Sequence, residues 1–376
     1  METVRLAVSI LFLAGLSAAV VYAALSVISL HAFLKEKPRT AQVWPALSLL
    51  KPIRGVSESL EANLRTMLGQ DYPEFEVLFG FQDPDDPAIS LVETLCAEYP
   101  EVRTEIVRAG EARGPNRKAC VLKELARRAR HDIFVISDQD MRVGRRYLRA
   151  VAAEFEDPRV GLTTLPYRTT EARGVGAVFE ALAVDADFIP SALVAKRLEG
   201  LTFALGATMA PRRAALAAIG GFEALEDFLA DDYELGNRIH NAGYRITLCP
   251  YFVTNVVDAA SLRSFFLHQL RWNRGYRVCR PTGYLGSVLM NGMVFAVGLA
   301  LVTGWWQAIP GWLAVRLFTA REILRALGVR EEWWLAFVPL KDVINFALWL
   351  LALRGNTVWW GGDRFVLHPD GRMQPA

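Results

Sequence analysis

Asp132-Ile133-Phe134-Val135-Ile136-Ser137-Asp138-Gln139-Asp140 decides the fold: a short apolar run breaks off into two carboxylates one residue apart. An apolar run of that length, bounded by polar residues, reads as a buried strand. The pattern repeats upstream. Ala46-Leu47-Ser48-Leu49-Leu50 stops at Lys51-Pro52, and Phe75-Glu76-Val77-Leu78-Phe79-Gly80-Phe81 stops at Gln82-Asp83-Pro84-Asp85-Asp86-Pro87. Residues 105–108 make a shorter strand. Between these runs the apolar residues take helical spacing over 57–68, with Ser57 as N-cap, over 88–99 and over 118–130. Strands alternating with helices predict an α/β fold with a mostly parallel sheet covered on both faces. Such sheets bind ligands at the carboxyl ends of their strands. The acidic clusters fall there.

A third cluster, Leu229-Ala230-Asp231-Asp232-Tyr233, opens a helical stretch over 234–242. Asp-Pro pairs are common turn residues, so one cluster alone decides little. Three together point to a divalent cation and a diphosphate, because Mg²⁺ and Mn²⁺ take hard oxygen ligands. Basic complements are present. Gly114-Pro115-Asn116-Arg117-Lys118 opens a helix whose first N–H groups favour an anion. His268-Gln269-Leu270-Arg271-Trp272-Asn273-Arg274 offers a guanidinium for phosphate and an indole for stacking. The same segment also fits a basic helix lying on anionic lipid.

The 376 residues carry 42 basic and 40 acidic side chains, a balance that gives no field for nucleic acid. The hydrophobic share is 52%, and the excess sits at the two ends. Residues 6–34 contain no Lys, Arg, Asp or Glu, long enough to span a bilayer. A signal peptide has a shorter apolar region and a small-residue cleavage site. Lys35, Lys37 and Arg39 outweigh Arg5, so the chain beyond them belongs in the cytoplasm. The run reads as an uncleaved anchor. After Arg280-Pro281, residues 282–315 are uncharged, while 333–353 are broken by Lys341-Asp342, a pair expected to face protein interior or the interface. Arg316, Arg321, Arg325 and Arg330 favour the cytoplasmic side. Residues 282–315 then read either as an in-and-out hairpin turning near 305–310, or as a re-entrant or interfacial pair. Four scattered cysteines without a C-x-x-C pair read as reduced thiols. The plan is an anchor over 1–40, a cytoplasmic catalytic domain over 41–281, membrane segments over 282–355 and a tail over 356–376.

An ordered set of short segments resembles the ceramide glucosyltransferase family of GT-A glycosyltransferases and its bacterial hopanoid-glycosylating relatives. The segments are Leu47-Ser48-Leu49-Leu50-Lys51-Pro52, Gln70-Asp71-Tyr72-Pro73, Asp83-Pro84-Asp85-Asp86-Pro87-Ala88-Ile89, and Asn116 with Lys118. Ser137-Asp138 with Asp140 and Arg142-Val143, Gly220-Gly221-Phe222, Asp231-Asp232-Tyr233 and Arg271-Trp272 come next in the same order. The resemblance implies a UDP-sugar donor, a membrane-lipid acceptor and Mg²⁺ or Mn²⁺. It implies that Asp83 contacts the uridine, that Asp138 and above all Asp140 hold the cation, and that Asp232 is the general base beside Asp231. Lys51, Pro52, Lys118, Arg271 and Trp272 fall near the nucleotide-sugar. His268 stands where the family's last motif has Gln or Arg, and is read as a supporting position. One displacement by the acceptor hydroxyl inverts the anomeric centre, giving a β-linked glycolipid from an α-linked donor. Glucose or N-acetylglucosamine as donor sugar, and ceramide or a hopanoid polyol as acceptor, stay open. An Ala- and Arg-rich composition fits a bacterial inner membrane. The alternatives are a polysaccharide or polyprenyl-phosphate sugar synthase of the same fold, or an inactive nucleotide-sugar-binding subunit.

Overall fold

The computed structural model describes residues 1–170, 172–258 and 260–376. The chain folds as two compact units. A sheet unit comprises Glu36–Glu171, Gly200–Asp258 and Asp363–Ala376; a helical unit comprises Met1–Lys35, Ala172–Glu199 and Ala259–Gly362. The stretch 41–281, expected as one catalytic domain, contributes to both, and the expected tail over 356–376 is divided between them.

In the sheet unit the strands are β1 (Leu47–Ile53), β2 (Phe75–Phe81), β3 (Arg103–Arg108), β4 (Ile133–Ser137) and β5 (Met141–Arg142). They continue with β6 (Val160–Thr164), β7 (Tyr167–Arg168), β8 (Thr208–Pro211), β9 (Arg245–Leu248) and β10 (Val253–Asn255). Seven form one sheet in the order β3-β2-β1-β4-β8-β6-β9, while β5, β10 and β7 form a small second sheet. The large sheet is parallel except for β8, which runs against both β4 and β6. The α/β, mostly parallel expectation holds. Register sets Ile53 beside Phe81 and Leu50 beside Ile136, so β1, β2 and β4 release the chain at one edge. All three acidic or basic strand-end motifs leave there.

One face is closed by the Arg117–Arg128 helix, whose Ala119, Leu122 and Leu125 pack on Leu50, Leu78, Phe134 and Ile136. Gly80 lets that helix approach: a Cβ there would lie 2.4 Å from Val121 Cγ1. The helix expected from Ser57 begins at Leu60 instead, with Ser59 at its N-cap and no capping bond. The Ser59 hydroxyl is engaged elsewhere, 3.2 Å from Asp258 Oδ2. Residues 363–375 form a hairpin of two strands, Asp363–Leu367 and Met373–Pro375.

In the helical unit, Glu2–Leu34 and Glu332–Ala352 are long and apolar enough to cross a membrane. Pro281–Met290 with Gly292–Thr303, bent by 62°, adds a third if counted as one span. Leu6, Ile10, Leu11 and Leu13 stay exposed, as the surface of a bilayer anchor does. The Gly292–Thr303 helix ends at Gly304 in the left-handed region, and the next begins at Ala308, close to the expected turn. Lys341 is fully buried and, with Asp342, faces other side chains of the unit. That is the interior placement expected of adjacent opposite charges.

Candidate active site

The second acidic cluster is built from below. Lys51 points inward from β1, is 2% exposed, and its ammonium donates to the Asp138 carbonyl. Burial lowers its pKa to about 8, although Asp138 and Asp140 pull the other way. Lys51 thus props the turn that carries the carboxylates. Asn63 Nδ2 donates to the Gln139 carbonyl at 3.2 Å, and the Arg54 N–H donates to Gln139 Oε1 at 2.9 Å, pinning the same turn. Crowding by protein and the charge of Asp138 push the Asp140 carboxyl up to about 6. Its outer surface stays exposed, so solvent damps that rise.

Asp231 and Asp232 are the first two residues of the Asp231–Asn241 helix, where the dipole favours negative charge. Lys118 joins this cluster to the second one: its Nζ lies 2.5 Å from Asp138 Oδ1 and 3.8 Å from Asp231 Oδ2. Burial works against the ammonium, but Asp138 and Asp231 outweigh it and hold its pKa above the ordinary lysine value. Burial first, then the charge of Asp231, push Asp232 up to about 6. The Tyr233 N–H, 2.7 Å from Asp232 Oδ1, and Lys118 oppose the rise. A carboxyl raised in this way has the proton affinity that general-base work requires.

Asn116 fixes the distance between the two helices that carry these groups. Its Oδ1 caps the Arg117–Arg128 helix at the Ala119 N–H, 2.9 Å away, and its Nδ2 donates to the Phe228 carbonyl at 2.8 Å. It is wholly buried. Asn116→Ala therefore loses a cap and strands a carbonyl, and should cost about 2–3 kcal/mol in an unfolding titration of the purified protein.

Of the residues expected from sequence, Lys51, Lys118, Asp138, Asp140, Asp231 and Asp232 are brought together. Asp83 is exposed after β2, its Oδ1 accepting from the Asp85 N–H at 2.9 Å in a local turn. Pro52, next to Lys51, is half-buried in β1. Arg271, Trp272 and His268 lie in the helical unit on the Leu262–Cys279 helix. There Trp272 packs on Phe188 and His268, with centroids 5.3 and 4.7 Å apart, and the Arg271 guanidinium sits 5.8 Å from the Trp360 ring centroid. His268 Nδ1 lies 2.6 Å from Glu180 Oε1, which also accepts from Gln269 at 3.2 Å.

Four contributors escaped the sequence reading. Glu180 sits in an apolar helix with nothing beside it to mark it. Gln82 donates to the Gly110 carbonyl, while its buried Oε1 has no partner among the described residues. Its place beside Asp83 was the available signal. The hairpin over 363–375 holds the run-up to the third cluster: the Met373 N–H donates to the Asp227 carbonyl at 2.7 Å and the Leu229 N–H to that of Gly371 at 3.3 Å. Gly206 is the fourth. A Cβ there would lie 2.9 Å from Asp232 Oδ2, so Gly206→Ala must push that carboxylate aside. Its kcat should fall about 10–100-fold with the melting temperature kept, since sub-ångström misplacement of a reacting group is enough.

No three His, Cys, Asp or Glu side chains converge on a metal position among the described residues. A cation held by two carboxylates and completed by phosphate oxygens and water still fits, because Mg²⁺ sites commonly have that make-up. Crowding of Asp140 by the charge of Asp138 is what such a cation would relieve.

The seven-stranded, mostly parallel sheet has the GT-A fold. The family model for Glycosyl transferase family 21 matches residues 11–373, and the chain belongs to that family, as a ceramide glucosyltransferase-like enzyme. It is similar to ceramide glucosyltransferase 1 of Caenorhabditis elegans, 26% identical over 88% of this chain and 74% of that one. Ceramide glucosyltransferase 3 of the same animal is 23% identical over 91% and 77%. The ceramide glucosyltransferase of Komagataella phaffii is 30% identical over a shorter stretch, 38% of this chain and 30% of that one. Among solved structures, the mannosyltransferase PcManGT from Pyrobaculum calidifontis, in complex with GDP-Man and Mn²⁺, superposes with a TM-score of 0.58. It is 19% identical over 92% of this chain and 98% of that one, a likeness of fold.

Proposed function

We propose that the protein transfers glucose or N-acetylglucosamine from a UDP-sugar to the hydroxyl of a membrane lipid, with inversion, at the cytoplasmic face. The observation that carries this reading is Lys118, which binds the second and third acidic clusters into one site at the sheet edge. Asp138 and Asp140 would hold Mg²⁺ or Mn²⁺, which supplies charge to the diphosphate. The Lys118 ammonium adds a second positive charge for the departing UDP. Asp232 takes the proton of the acceptor hydroxyl as its oxygen attacks the anomeric carbon from the face opposite UDP. Asp83 and Gln82, leaving the same edge, are assigned to the uridine; Arg271, Trp272 and His268 are assigned to donor or acceptor on motif order alone. Kinship with ceramide glucosyltransferases supports a lipid acceptor, and the cations after the first apolar helix support the cytoplasmic face.

The test is turnover by the purified full chain. UDP-glucose and UDP-N-acetylglucosamine are each offered with Mg²⁺ or Mn²⁺ to ceramide, a hopanoid polyol and undecaprenyl phosphate. A β-linked product on a lipid hydroxyl is expected. Transfer to the polyprenyl phosphate alone, or donor binding without transfer to anything, overturns the reading.

A further inference from the structure

The helical unit holds charges that glycosyl transfer does not use. Arg316 Nη2 lies 2.7 Å from Asp187 Oδ1, and Arg316 Nε lies 2.8 Å from Asp342 Oδ2. The Lys341 ammonium pairs with Asp187, and with Asp342 Oδ1 at 2.9 Å. Asn345 Nδ2 donates to Asp187 Oδ2 at 3.0 Å. Two cations meet two anions, and the set is neutral. Pairing of this kind is how charges survive among apolar helices.

Pairing does not account for the cleft beside the set. Its walls include Ala19, Ala23 and Trp312, and its floor includes Ser26, Asp187 and Arg316. The enclosed part measures about 30 Å³, room for a water or two, or for one amide or hydroxyl group. Arg316 is 8% exposed, and among the described residues its Nη1 makes no hydrogen bond. A donor is left over in the floor. Ser26 Oγ donates to the Tyr22 carbonyl at 3.0 Å and also faces the Tyr22 hydroxyl, which leaves it one lone pair to accept. Asp187 itself stands in a π-helical stretch, Val184–Phe188, a distortion frequent at functional sites.

We propose that this cleft binds the polar end of a neutral lipid, whose amide or hydroxyl oxygen accepts from Arg316 Nη1 and whose N–H or O–H donates to Ser26 Oγ. Charge decides the class. The four side chains already cancel, so an anionic phosphate would enter with no unpaired cation to meet it, at a high desolvation cost. A neutral amide or hydroxyl brings matched hydrogen bonds and no charge, and the enclosed space has room for that group alone. The site deepens the lipid-acceptor reading and depends on it only for the step from "neutral lipid" to "acceptor".

The experiment uses the full chain in nanodiscs with a ceramide carrying a diazirine near its polar end, and maps crosslinks by peptide mass spectrometry. Crosslinks are expected within residues 19–26 and 312–323, and should fall at least five-fold in Ala23→Phe and in Ser26→Leu, which fill the cleft. Thr319→Leu, which fills the cleft from the same lining, serves if either fails to fold. Excess unlabelled ceramide should compete and phosphatidylglycerol should not. Competition by diacylglycerol as strong as by ceramide upholds a neutral-lipid site and removes the acceptor step. Labelling spread evenly along the first helix, labelling unchanged in stable cleft-filling variants, or equal competition by phosphatidylglycerol overturns the proposal. Because crosslinking needs no turnover, a wild-type protein that labels but transfers nothing refutes the enzymatic reading while leaving the cleft in place.

Discussion

Asp232→Asn abolishes glycosyl transfer, with kcat at least about 10³-fold below wild type, and leaves donor affinity within about two-fold. The asparagine keeps the shape and can accept the Tyr233 N–H, but it cannot take a proton from the acceptor hydroxyl. Initial rates and donor titration on the same preparation separate the two effects; transfer at more than a tenth of the wild-type rate would remove Asp232 from the base role. The pH dependence comes from the same carboxyl. Its pKa is pushed up to about 6, and only the ionised form is a base, so wild-type kcat should fall as pH drops through about 6. Stability runs the opposite way. In the unfolded chain Asp232 ionises near 3.9, so between about pH 4 and 6 the folded state holds the extra proton. As pH rises through that window the folded protein loses stability, because a buried, crowded carboxylate must ionise. Asp232→Asn escapes that cost. It should unfold about 1–3 kcal/mol harder than wild type at pH 7, and no harder below about pH 4.

Lys118→Met has the second largest effect. The side chain is about the same length, so the loss is charge. Asp138, Asp231 and Asp232 are then left facing one another without the ammonium that lies against the first two. Breaking a buried pair typically costs about 3–5 kcal/mol. Lys118 is 20% exposed on its side chain, which reduces the expectation to about 2–3 kcal/mol. Two functional changes go with it. The donor KM should rise at least ten-fold, since the diphosphate meets a more negative site. The acid limb of the rate profile should move to higher pH, because Lys118 now helps keep Asp232 ionised. Adding salt should recover part of the stability by screening the repulsion. A variant as stable as wild type, with an unchanged donor KM, would show that Lys118 does not bridge the clusters.

Local pattern revealed β1, β2 and β4 because each is a continuous apolar run that stops at a turn, which is how a strand buried on both faces must look. β8 was invisible for the opposite reason. Thr208-Met209-Ala210-Pro211 has no alternation and ends in proline, and only its position between β4 and β6 makes it a strand. The carboxylates could be picked out one by one, since their residue type and place after strands are local facts. What joins them is not local: Asn116 reaches Phe228 across 112 residues, and Gly206 matters because of where the Asp232 side chain stands. In the Asp83–Asp86 run, sequence could not tell that Asp86 is the buried member, held by the Gly55 and Ala88 N–H groups, while Asp83 remains open. Glu180, behind His268, shows the same limit in the helical unit.

The hairpin over 363–375 lies beyond every apolar helix among the described residues, yet its backbone clasps Asp227 and Leu229, just ahead of Asp231 and Asp232. Order of synthesis then matters. A ribosome adding about 5–20 residues per second completes β1 to β10 well before it delivers the hairpin. During that interval it adds the apolar helices over 262–352. The carboxylates are therefore fully braced only once every apolar helix of the chain has been made, so the last residues synthesised complete the support of Asp231 and Asp232.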